Sequence, residues 1–127
     1  MTGEPPTDDD QQALARASAG LTYPSESDAP FEPFRWPAAS ARETVRDAVA
    51  RHGKRGVRVD EVSVDDFFAE LDGSDDAERY KALRQALESH LSGLKVIRTG
   101  ERKVDVYLIG RTKNGDWAGL HTTSVET

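Results

Sequence analysis

The sequence contains no cysteine. Disulfides, thiolate metal sites and cysteine nucleophiles are therefore excluded, which fits a reducing compartment. No stretch approaches the roughly 20 apolar residues of a membrane span. The N-terminus, Met1-Thr2-Gly3-Glu4-Pro5-Pro6, has neither the basic segment nor the apolar run of a signal peptide. The expectation is a cytoplasmic protein without membrane contact. An excess of positive charge is missing too: 17 Lys and Arg stand against 23 Asp and Glu, a net charge of −6. Nucleic-acid binders need clustered positive charge, so direct contact with nucleic acid is not expected.

The assembled motifs of catalysis are also missing. The three histidines, His52, His90 and His121, show no metal-ligand spacing and no HExxH pattern. There is no glycine-rich phosphate loop, since Gly53 and Gly56 merely flank Lys54-Arg55, and no GxSxG elbow. The pairs Asp65-Asp66 and Asp75-Asp76 stand at expected helix starts, where the free N–H groups favour negative charge. Adjacent residues do not face each other on a helix, so neither pair suits acid–base chemistry. Neither an enzyme nor a cofactor or metal binder is expected.

What is present suits one folded domain. The chain has 127 residues, 36% of them hydrophobic and 31% charged, enough to bury a core without staples. Residues 1–8 read as a disordered polar tail, and residues 9–127 as a single domain. Residues 1–36 hold seven acids against Arg16 and Arg35, whereas the rest is nearly balanced. Such an acidic end serves solubility and also suits a basic protein partner.

The pattern predicts a helix over 9–19, opened by Asp8-Asp9-Asp10 and closed by Gly20, with Leu14, Ala17 and Leu21 on one side. Pro24, Pro30, Pro33 and Pro37 forbid a helix over 20–37, and an edge strand is expected at 32–36. Ser40-Ala41-Arg42-Glu43 has the form of a capping box for a helix over 41–52, with Val45, Ala48 and Val49 inward and Gly53 beyond its last turn. A short strand around Val57 and Val59 follows. A short helix with Phe67, Phe68 and Leu71 comes next, capped by Ser63 with Asp66. Tyr80, Leu83, Leu87 and Leu91 mark a helix over 76–92 closing at Gly93. The period then becomes two. Val96, then Val104, Val106 and Leu108, then Trp117 and Leu120, broken at Thr99-Gly100 and Asn114-Gly115, predict three antiparallel strands. The fold class is α+β, a mostly antiparallel sheet with covering helices.

Two stretches carry a resemblance. Residues 20–36, GLTYPSESDAPFEPFRW, contain SES followed by PFE and an aromatic. Residues 96–127, VIRTGERKVDVYLIGRTKNGDWAGLHTTSVET, contain a Gly-Glu turn, DVY and IG, a hairpin, AGL, and VET at the end. In these stretches the chain resembles the bacterial nuclease A inhibitor family. The resemblance implies an α/β/α-type sandwich. It also implies a partner, a sugar-nonspecific endonuclease that cuts DNA and RNA with a magnesium ion, whose active site the inhibitor, monomeric when free, plugs. The family's contacts map to Glu26 in the SES loop, flanked by Ser25 and Ser27, and to Thr127, preceded by Glu126. Thr127 would reach the partner's catalytic magnesium in the complex. A further family contact is a glutamine in the loop before the long helix. Here that loop is shorter and carries Asp75 instead. The alternative reading is a binding module of the same fold with a different basic partner.

Overall fold

The computed structural model describes residues 6–23, 29–40, 42–53, 58–71 and 76–125. Its elements run α1 (Pro6–Ser18), β1 (Thr22–Tyr23), β2 (Ala29–Pro30), β3 (Glu32–Trp36), α2 (Val45–His52), β4 (Val59–Val62), α3 (Val64–Ala69), α4 (Ala77–His90), β5 (Ser92–Thr99), β6 (Lys103–Arg111) and β7 (Trp117–Val125). Five strands form one antiparallel sheet in the order β3-β7-β6-β5-β4. β1 and β2 form a separate two-stranded antiparallel ribbon.

The register sorts the side chains into two layers, because successive residues of a strand point to opposite faces. Val96, Val104, Val106, Leu108, Ala118 and Leu120 lie on one face. They pack with Leu14 of α1, Phe67 and Phe68 of α3, and Tyr80, Leu83 and Leu87 of α4. Ile97, Tyr107, Ile109 and Trp117 lie on the other and meet Val45, Ala48 and Val49 of α2. The result is the expected α/β/α sandwich. β6 is buried from Val104 to Gly110 without alternation, since helices lie over both of its faces.

Local chemistry explains most element ends, and corrects four of the expected ones. α1 starts at Pro6, ahead of the expected residue 9. Proline suits a first helical turn, where its missing N–H costs no hydrogen bond. α2 starts at Val45, not at 41. Thr44 is its N-cap, and its side chain accepts from the Asp47 N–H at 3.1 Å while the Asp47 carboxylate accepts from the Thr44 N–H. The capping box is thus Thr44 with Asp47, not Ser40 with Glu43. Glu43 has another task, described below. α3 is capped as read: the Ser63 hydroxyl accepts from the Asp66 N–H at 3.0 Å. α4 ends at His90, before the expected residue 92. Gly93 lies inside β5, at the register shift between Ser92 and Lys95, with φ +63°. A left-handed residue suits a bulge there, so Gly93 is no helix cap. β4 runs from Val59 to Val62, where it pairs with Val96, and Val57 of the expected strand lies outside the described residues.

Candidate functional site

Ser25, Glu26, Ser27, Asp75, Glu126 and Thr127 all lie outside the described residues. What the structure does describe is the elements that adjoin these segments in the chain. The ribbon β1–β2 brackets residues 24–28, with Thr22 opposite Pro30 and Tyr23 opposite Ala29. On its two sides the chain is pinned by apolar burial: Leu21 is 1% exposed and Phe31 6%, both in the core under α1 and α4. Each fully buried large side chain contributes about 1.5–3 kcal/mol, so these two pins hold the bracket firmly.

Two long-range hydrogen bonds complete the mounting. The Tyr80 hydroxyl, on the first turns of α4, donates to the Thr22 carbonyl at 2.5 Å. The Thr122 hydroxyl, near the end of β7, donates to the Ala29 carbonyl at 3.2 Å. Arg79 adds a bond to the Ala19 carbonyl just before the ribbon. α4 is the helix that follows residues 72–75, and β7 is the strand that leads to residues 126–127. The elements that adjoin the three predicted contact segments in the chain, α4, the ribbon and β7, are therefore tied together through Tyr80, Thr22, Ala29 and Thr122. β7 is itself rigid here, paired with β6 as far as Val125 opposite Lys103.

Tyr80 announced itself only as an apolar helix position, and Thr122 only as part of a strand. Their partners lie 58 and 93 positions away, so no local signal could mark their hydroxyls.

A second polar cluster fastens α2 to the sheet. The Glu43 carboxylate accepts from Arg51 at 2.9 Å on both oxygens, from the Trp117 indole N–H at 2.7 Å and from the Ala39 N–H at 3.0 Å. Its side chain is only 6% exposed. The Arg51 hydrogen bonds, aided by the Ala39 and Trp117 donors and opposed by burial, lower its pKa from 4.5 to about 2. Arg111 closes the cluster: it donates to the Glu43 carbonyl at 2.7 Å, with its guanidinium 4.1 Å from the Trp117 ring centroid.

Among the described residues no group of three or more His, Asp or Glu is placed to hold a metal ion. No described helix is long and apolar enough to cross a membrane. His52 stacks on Trp36 at 4.6 Å, and His121 pairs with Asp105 at 3.0 Å.

The family model of nuclease A inhibitor-like proteins (NuiA) matches residues 9–127. The chain belongs to that family. No curated protein matches it. Family membership makes a nuclease the kind of partner to consider and an inhibitor-like protein the kind of molecule.

Proposed function

We propose that this chain inhibits a sugar-nonspecific, magnesium-dependent endonuclease of DNA and RNA, acting as a monomeric plug of the active site with no catalysis of its own. The observation that supports this best is the convergence of Tyr80, Thr22, Ala29 and Thr122, which ties together the three elements next to the separate segments. A plug needs several contact segments held at once, and a mounting that is already ordered loses less entropy on binding.

In this reading Thr127 presents oxygen donors to the partner's magnesium, a hard cation that takes oxygen ligands. Glu26, between Ser25 and Ser27, meets a cationic side chain or a metal-bound water in the same cleft. Asp75 and Glu126 border the contact. An acidic surface assists encounter with a nuclease whose own substrate is anionic, since that cleft must be positive. The test is a titration of a purified nuclease of this class with the protein, with DNA as competitor. A one-to-one complex that excludes DNA is expected. A complex that still takes up and cuts DNA would refute the plug.

A further inference from the structure

The outer half of the α2 face carries a small cavity of about 200 Å³ lined by Glu32, Pro33, Phe34, Trp36, Tyr107 and His121. Its aromatic walls support one another. The Phe34 and Trp36 centroids are 4.4 Å apart, Trp36 and Tyr107 5.4 Å, Phe34 and Tyr107 6.0 Å, and Tyr107 and His121 4.9 Å. The register explains the gathering: Phe34 and Trp36 point to the same face of edge strand β3, and Glu32, His121 and Tyr107 stand in one row across β3, β7 and β6. Phe34 and Trp36 are only half-buried.

Among the described residues, no Lys or Arg lines this cavity, and the carboxylates beside it are those of Glu32 and Asp105. Glu32 is exposed and has no ion-pair partner among the described residues. Asp105 lies behind His121, with their atoms 3.0 Å apart. Tyr107 stays a neutral phenol, its pKa raised by burial and by the nearby Asp105 carboxylate. The arginine of β3, Arg35, points to the opposite face and is paired with Asp116 at 2.6 Å.

Half-exposed π surface beside an unpaired carboxylate is the environment that attracts an organic cation. A guanidinium fits best, because its planar group stacks on aromatic rings while its N–H fork engages a carboxylate. The protein already uses this pairing internally, with Arg84 5.7 Å from the Phe68 ring centroid and ion-paired with Asp65 and Glu88. We propose that the Glu32–Phe34–Trp36–Tyr107 cavity is a binding site for a guanidinium group, as presented by an arginine side chain of a protein partner. This site does not depend on the nuclease reading, and its test needs no nuclease.

The test is a titration of the intact protein with N-acetyl-arginine amide, followed by the fluorescence of Trp36 and by NMR. Trp117 is 3% exposed and serves as an internal control. N-acetyl-citrulline amide is the neutral isostere, and N-acetyl-lysine amide the point-charge control. The expected result is saturable binding with a dissociation constant on the order of 1–10 mM, about tenfold weaker for citrulline and for lysine. Glu32→Gln, a change on an exposed residue, weakens arginine binding about tenfold, and Phe34→Leu weakens it as well. Equal binding of arginine and citrulline, equal binding of arginine and lysine, indifference to Glu32→Gln, or no saturable shift would each overturn the proposal.

Discussion

Glu43→Gln offers the sharpest check on how α2 is held. The wild-type carboxylate is stabilised in its charged form, with a pKa of about 2 against 4.5 when unperturbed. That lowering corresponds to at most about 3 kcal/mol. Arg51 is 38% exposed, so water screens the pair and about 2 kcal/mol is the reasonable figure. Because the folded-state pKa is depressed, this stabilisation is fully present above pH 4.5 and is lost as the pH falls towards 2. By about pH 3 more than half of it is gone. The amide can still accept from Trp117 or Ala39, so the substitution removes chiefly the charged part of the interaction. Urea unfolding followed by tryptophan fluorescence at pH 7 and pH 3 gives the comparison, since the Trp117 indole touches Glu43 directly. The expected difference between wild type and variant is about 2 kcal/mol at pH 7, shrinking to about 1 kcal/mol or less at pH 3. Other carboxylates titrate in both proteins and cancel in that difference. A gap that is equal at the two pH values, or absent at pH 7, would refute the assignment of Glu43 as a charged clamp.

Further substitutions probe other parts of the account. Tyr80→Phe removes the bond to the Thr22 carbonyl. That carbonyl belongs to an exposed residue that water can reach, so about 1 kcal/mol of stability is lost in a urea melt. If the ribbon is the mounting of the inhibitory segment, the same variant loses more inhibition than its stability accounts for. Gly119→Ala cannot be accommodated, because at φ +156° its Cβ would come within 1.7 Å of the Leu108 carbonyl oxygen. A loss of about 4 kcal/mol or more is expected, seen as insolubility or a collapsed melting temperature, whereas a near-native melt would contradict the strand packing. Thr99→Val removes a buried hydroxyl that has no hydrogen-bond partner among the described residues, so the variant should be equal to wild type or more stable by up to about 1 kcal/mol. A loss of stability there would mean that the hydroxyl is bonded after all.

The periodic parts of this fold were legible from the sequence, and the pairings between distant residues were not. β3 falls where the prolines and aromatics of 32–36 placed it, the last two hairpins turn where Gly100 and Gly115 stand, and Val45, Ala48 and Val49 are buried as their spacing implied. Those features follow from the period of side-chain direction and from residues that end elements. Glu43 was misread because Ser-x-x-Glu is a capping pattern wherever it occurs, and only the folded chain brings Trp117 to it from 74 positions away. The ribbon escaped notice because two-residue strands next to Pro24 and Pro30 have no period at all. For the candidate site, family resemblance supplied the proposed contact residues. The structure supplied the hydroxyls of Tyr80 and Thr122 that join the elements next to them, through bonds that no local pattern encodes.

The central claim is tested most directly by inhibition of a purified magnesium-dependent, sugar-nonspecific nuclease on plasmid DNA. The intact chain is compared with Glu26→Ala and with a chain lacking Thr127. The account predicts that the intact protein blocks cleavage and that each variant raises the concentration needed by about tenfold or more, equivalent to about 1.4 kcal/mol of lost binding. Inhibition by both variants at the same concentration as the intact protein would contradict it.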